Sequence, residues 1–189
     1  MARGVLFVIS APSGAGKSTI IDRIRPMFPD MLYSISCTTR APRKGEQDGV
    51  HYFFVEENRF RRMIADSEFL EWKEVHANLY GTPAWPVRNA LEAGRRMVLD
   101  IDVKGAREVF EKVADSVGIF INAPSMEVLE QRLRLRGTDS DESIRIRLAN
   151  AVQEMEMGRD FRYQIVNDDL DAAVEELASI IKRESEGDS

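Results

Sequence analysis

Short β-branched and aromatic runs alternate along the chain with segments whose apolar residues recur every three to four positions. That alternation is the pattern of a parallel sheet covered by helices. Val5–Ser10 reads as a buried strand, and Ser18–Met27 as a helix with Ile20, Ile21 and Ile24 on one face, broken near Pro26 and Pro29. Met97–Asp102 is a second apolar strand, leading into a helix that carries Ala106, Val109, Phe110 and Val113. Val117–Ile121 and Gln164–Asn167 are further strands, with helices Met126–Arg136 and Glu142–Met157 between them and Leu170–Arg183 closing the chain.

The middle of the chain breaks this rhythm. From about Tyr33 to Gly94 come short runs (Ser34–Ser36, His51–Val55, Phe69–Trp72) punctuated by Pro42, Gly45, Asp48-Gly49, Gly81 and Pro83. Helices are expected at Asn58–Ala65 and Val87–Ala93, and a tight polar loop at Tyr80–Pro83. This stretch reads as a small, mixed, β-rich insertion between two halves of an α/β parallel sheet.

Composition narrows the class without naming a function. The 189 residues, 43 % apolar and 31 % charged, suit one large globular domain or two small ones. Lys and Arg total 26 against 32 for Asp and Glu, a net charge of -6, which weighs against a nucleic-acid partner. Cys37 is the lone cysteine, so no internal disulfide or cysteine metal cluster can form, and a buried or loop thiol is expected. The early apolar run Val5–Ile9 is too short for a signal segment or a membrane span. No membrane partner and a reducing cytoplasmic setting are the corresponding expectations.

Chemistry enters at Ala11-Pro-Ser-Gly-Ala-Gly-Lys-Ser18, which follows a strand and opens a helix. That is the context in which a phosphate-binding loop carries meaning. Gly14 and Gly16 let backbone N–H groups turn inward, and the helix N-terminus adds positive character behind them. Ser13, Ala15 and Thr19 complete the cradle, Lys17 can reach the outer phosphates, and the Ser18 hydroxyl can ligate Mg²⁺. Ala11 stands where the usual pattern has Gly, which is tolerable if its φ is negative. A chance turn is the bland alternative. The motif implies a nucleoside triphosphate site and is silent about the reaction.

Asp100 and Asp102 end the apolar strand Met97-Val98-Leu99 on one face. Buried carboxylates need compensation, which a nearby Mg²⁺ or ligand donors would give, and Asp100 is the candidate metal residue. The alternative is that Asp102 simply caps the following helix.

Ser36-Cys-Thr-Thr-Arg-Ala-Pro-Arg43 gathers hydroxyls and two guanidiniums, with Tyr52 just downstream. Arg40 and Arg43 can converge on one dianion by forked hydrogen bonds, or else form a solvated basic loop pairing with Glu46 and Asp48. Glu71 lies between Leu70 and Trp72, where strand alternation would let it face water.

With Ser36–Arg43, Asp48–Tyr52, Glu71-Trp72, Tyr80–Thr82 and Leu99–Asp102 in place, the chain resembles the guanylate kinases, within the nucleoside monophosphate kinase group of P-loop kinases. The resemblance runs nearly end to end. It implies a P-loop core over 1–32 and 96–189, a GMP-binding insertion over 33–95 and a helical lid at about 132–150. It implies that Ser36, Arg40, Arg43, Tyr52 and Tyr80 hold the GMP phosphate, that Glu71, Thr82 and Asp102 hold the guanine, and that Asn167 lies near the adenine of ATP. From the pattern Arg-Leu-x-x-Arg-Gly with a second-helix Arg-Leu, it implies contacts from Arg132, Arg136 and Arg147 to the transferring phosphates. Arg134 and Arg145 read as solvated and paired with nearby acids. The implied substrates are ATP and GMP, with Mg²⁺; a homo-oligomer is left open.

The chemistry fits the residues independently. Guanine offers N1–H and its 2-amino group side by side to one ionised carboxylate, and a Thr82 hydroxyl can donate to O6. An attacking nucleotide phosphate, with a second pKa of about 6, needs no general base. This suits a chain whose only histidines are His51 and His76. Three rivals are a P-loop kinase for another small phosphate, a catalytically silent partner-binding relative, and a nucleic-acid binder. Two departures from the family pattern, Lys104 and Ala84-Trp85, sit where substrate or a neighbouring subunit could be touched.

Overall fold

The computed structural model describes residues 4–135, 137 and 139–186. Five parallel strands form the main sheet: β1 (Leu6–Ser10), β2 (Leu32–Tyr33), β7 (Met97–Asp100), β8 (Val117–Asn122) and β9 (Tyr163–Val166), in the order β2-β7-β1-β8-β9. Parallel strands need crossovers, and the helices supplying them cover both faces. Alternation along the strands sorts the core in two. Phe7, Ile9, Val98, Ile119 and Ile121 point to a layer with α1 (Lys17–Ile24) and α7 (Leu170–Glu186). Leu6, Val8, Met97, Leu99 and Phe120 point to a layer with α3 (Ala84–Glu92) and α4 (Val103–Lys112). Each fully buried side chain of this kind contributes about 1.5–3 kcal/mol. The α/β three-layer architecture expected from the apolar rhythm is present.

The second sheet, β4-β3-β6-β5, is mixed: β3 (Cys37–Thr38) pairs parallel with β4 (Phe53–Phe54) and antiparallel with β6 (Asn78–Pro83), which pairs with β5 (Phe69–Val75). With α2 (Glu57–Ala65) it encloses its own small core of Cys37, Phe60, Met63, Phe69 and Leu79. The expected polar loop at Tyr80–Pro83 is instead part of β6. Gly81 and Pro83 read as breakers, but a side chain at Gly81 would come within 2.9 Å of the Glu71 carbonyl oxygen, so the glycine serves close strand packing. Helix α3 begins three residues earlier than expected because Pro86 falls in its first turn, where no N–H is needed.

Helices α5 (Met126–Leu135) and α6 (Asp141–Gly158) form a hairpin over the end of the main sheet. Leu129 and Leu133 are fully buried against Gly14 of the loop after β1. Among the described residues, no helix is long and apolar enough to cross a membrane.

Candidate active site

The loop between β1 and α1 is held by its own backbone and by two distant side chains. Gly14 and Gly16 have φ of 97° and 94°, conformations a Cβ disfavours. Ala11 is not among the described residues with positive φ, so its replacement of glycine costs no strain. The Asn167 amide donates to the Ala15 carbonyl (2.8 Å), and a Cβ on Gly16 would sit 2.3 Å from that same nitrogen. Asn167 thus braces the loop from the end of β9, and its carbonyl accepts a bond from Arg132 (2.8 Å). The other terminal nitrogen of Arg132 is buried without a hydrogen-bond partner among the described residues. An unpaired buried guanidinium nitrogen is costly unless an anion completes it. Arg147, from α6, donates to the Ser13 hydroxyl (3.2 Å) and pairs with Asp139 (3.2 Å). Arg134 is taken up by Glu130 and Asp141, and Arg145 by Glu142, the solvated pairing expected of both. Arg136 lies outside the described residues.

Two cavities meet at Lys17. One, of about 290 Å³, is lined by Pro12, Ser13, Gly14, Gly16, Ser18, Thr19 and Glu154. The other, of about 370 Å³, is lined by Ser36, Tyr52, Glu71, Lys73, Tyr80, Asp100 and Asp102. Lys17 and Asp102 border both. Lys17 is ion-paired with Asp100 at the end of β7. Asp102 does cap α4: it accepts the Gly105 N–H (2.9 Å) while pairing with Lys73. Burial raises its pKa, yet the Gly105 N–H and Lys73 outweigh that and hold it below the usual value.

Glu71 does not face water. It is 6 % exposed and accepts the hydroxyl proton of the fully buried Thr82 (2.6 Å). Plain alternation fails here because the strand pairing slips: Phe69 opposes Pro83 and Glu71 opposes Thr82, leaving Leu70 as an extra residue. Such a bulge turns two successive side chains to one side. Leu70 packs with Val103 and Ala106 of α4, and Glu71 lies against Gly105 of the same helix. Burial raises the Glu71 pKa, opposed by the Thr82 bond and by Lys73. A hydroxyl has one proton, and in the ligand-free protein Thr82 gives it to Glu71, so donation to a ligand oxygen requires that partner to be exchanged.

In the loop after β3, Arg40 makes a two-point pair with Glu46 (3.0 and 2.9 Å), and Glu46 also accepts the Arg43 N–H (2.7 Å). These bonds depress the Glu46 carboxyl to about 2. The guanidinium lies 5.5 Å from the Tyr52 ring centre, and Tyr52 meets Tyr80 edge-on at 6.1 Å. Arg43 is exposed beside them. The alternative pairing with Glu46 is therefore present in the ligand-free protein, whereas Asp48 instead accepts the Phe54 N–H (2.8 Å). Thr38 and Thr39 are used locally, accepting from the Arg40 and Leu79 N–H groups. His51 accepts from the Gln47 N–H (3.1 Å). Cys37 is buried, and burial pushes its thiol up to about 11.

Two residues at the site, Lys73 and Glu154, were not singled out in the chain. Lys73 has no signal of its own and becomes visible only through Asp102. Glu154, half-buried beside the loop and bonded to the Ser13 backbone, lies two helical turns after Arg147 on the same face of α6, and that spacing was readable.

A parallel sheet bearing a phosphate loop at its carboxyl edge, with a second polar cavity opposite the loop lysine, defines a P-loop kinase. The guanylate kinase family model matches residues 3–184. The chain is 48 % identical to the guanylate kinase of Carboxydothermus hydrogenoformans over 97 % of its length and 90 % of that protein. It is 49 % identical to that of Geobacter sulfurreducens over 94 % of its length and 88 % of that protein. The crystal structure of guanylate kinase from Anaplasma phagocytophilum superimposes with a TM-score of 0.72 at 32 % identity, covering 96 % of this chain and 86 % of that one. The chain belongs to the guanylate kinase family.

Proposed function

We propose that the chain carries out its family's reaction, transfer of the γ-phosphoryl group of ATP to GMP to give ADP and GDP, with Lys17 standing between donor and acceptor. The donor binds the core over 1–32 and 96–189, on the N–H groups of Ser13–Ser18 and beside Thr19, with Asn167 holding the loop in shape. The acceptor binds the insertion over 33–95. Arg40, Arg43, Ser36, Tyr52 and Tyr80 take its phosphate, while Glu71 and Asp102 read the base.

The buried Glu71 carboxylate on the cavity that Lys17 also lines carries this reading. Guanine presents two adjacent donors to it, whereas adenine would set a ring-nitrogen lone pair against a buried charge, at a cost of about 1–3 kcal/mol. The acceptor phosphate is largely ionised at neutral pH, so catalysis is positioning plus electrostatic stabilisation of the charge that spreads over the equatorial oxygens. Lys17, Arg132 with its unpaired nitrogen, Arg136 and Arg147 are the cations for that charge, and the α5–α6 hairpin (about 132–150) is the lid that excludes water.

Mg²⁺ fits the donor set on offer. Mg²⁺ takes only one or two protein oxygens beside phosphates and water, and the Ser18 hydroxyl and Asp100 carboxylate stand on the two cavities that meet at Lys17. Ser18 and Asp100 would hold it, and when bound it neutralises charge on the phosphate oxygens. A cytoplasmic setting is in keeping with this chemistry and with a single, buried cysteine.

A coupled assay with ATP and GMP, AMP or UMP tests the proposal. GMP is expected to be preferred, and Glu71→Gln to lower kcat/KM for GMP about 10–100-fold while leaving the KM for ATP within twofold. Equal use of the three acceptors, or equal losses for both substrates, would overturn it.

A further inference from the structure

Glu71 reaches the cavity only because β5 carries one residue too many, and a bulge needs something to hold it. Its two carbonyls, of Phe69 and Leu70, both accept bonds from the Lys112 ammonium (3.2 and 2.6 Å). Lys112 is the last residue of α4, some forty positions away in sequence, and neither cavity at the active site includes it. At the other end of α4, Gly105 leaves the space the carboxylate occupies. A methyl group there would come 3.0 Å from Oε2, 3.1 Å from Cγ and 3.2 Å from Cδ of Glu71.

We propose that α4 positions the base-reading carboxylate from both ends: Lys112 clamps the bulge that turns Glu71 inward, and Gly105 is the empty seat into which it turns. Lys112 and Gly105 are positioning residues, and they act on acceptor discrimination rather than on phosphoryl transfer. The mechanism is geometric. Without the clamp, the register of β5 against β6 is free to even out, which would swing Glu71 toward the Phe69 side, away from the guanine edge. The helix N-terminus that Gly105 belongs to also favours a negative charge lodged beside it. The inference rests on the reading of Glu71 given above.

The test compares GMP with IMP, which keeps N1–H and O6 but lacks the 2-amino group, at saturating ATP. Lys112→Met and Gly105→Ala are each expected to shrink the GMP:IMP ratio of kcat/KM about five- to tenfold, mainly through the KM for GMP. The KM for ATP stays within twofold, and Lys112→Arg, which can still donate to both carbonyls, restores most of the ratio. Thermal melts of all variants register any general loss of folding, and if Lys112→Met does not fold, Gly105→Ala carries the test. An unchanged GMP:IMP ratio in both variants overturns the proposal, as does a parallel rise in KM for ATP and GMP. Glu71→Gln is the control: if it keeps the wild-type ratio, the reading of Glu71 itself fails, and if it loses the ratio while the α4 variants keep it, only the positioning role fails.

Discussion

The donor loop and the acceptor cleft handle the same chemical group by opposite means. The loop is one contiguous octapeptide whose backbone is already set, glycines at φ of 97° and 94°, an asparagine over it, a leucine pair beneath it. The cleft draws its side chains from β5, β6, β7 and the loops around them, and three of its charged groups already have a protein partner: Arg40 with Glu46, Asp102 with Lys73, Glu71 with Thr82. A preformed backbone cradle needs no rearrangement on binding, whereas pre-paired side chains must trade partners with the ligand. Selectivity belongs in the second kind of site, because a ligand that cannot repay the broken pairs is rejected.

The sharpest way to break this contrast is to remove the cation the two sites share. Lys17→Met is expected to lower kcat about 10²–10³-fold, with GMP affinity by calorimetry changing no more than about threefold. A comparable loss of GMP affinity would mean the two cavities are one site.

A smaller effect should appear with pH. Burial holds Glu71 above its ordinary value of 4.5, and only the ionised form can accept from guanine. As pH falls, the KM for GMP should therefore begin to climb above the range where a solvated glutamate protonates, by about tenfold per unit once below the raised pKa. The folded state binds this proton more tightly than the unfolded chain, so stability moves the other way: this contribution is full below 4.5 and fades as pH rises through the folded-state value. Glu71→Gln should retain only the shallower dependence due to the nucleotide phosphate. Identical profiles for the two proteins would remove Glu71 from the cleft's logic.

The smallest expected change probes the pre-pairing itself. Glu46→Ala should raise the KM for GMP about threefold, because Arg40 then loses the carboxylate that orients it against Tyr52, with kcat unchanged. A fall in that KM would show Glu46 to be a competitor of the phosphate.

The same contrast explains what could be read from the chain. The loop was legible because its residues are consecutive and their types are dictated by backbone geometry. Four strands of the main sheet were legible because buried parallel strands are continuous apolar runs, whereas β2, two residues long, was not. Arg40 stood out from its loop, with Glu46 as an alternative partner, while roles for Tyr52, Tyr80, Glu71 and Asp102 are expected from family resemblance and the pairings of Glu71 with Thr82 and Asp102 with Lys73 were not visible. Lys73 is an ordinary surface charge until the fold sets it opposite Asp102. Strand β6 hid behind Gly81 and Pro83, and the facing of Glu71 hid behind a register slip that no period of two can contain.

That supernumerary residue at Leu70 has a consequence for how the chain can vary. Point changes along β5 alter one contact at a time; losing Leu70 would close the bulge and leave Glu71 and the residues after it opposite the same partners, whereas gaining a residue beyond the bulge would exchange the inner and outer faces of the rest of the strand up to the hairpin. The stretch after Glu71 is therefore far less tolerant of length change than of spelling change, while the bulge itself is a place on β5 where a codon can be lost and the strand keep its facing.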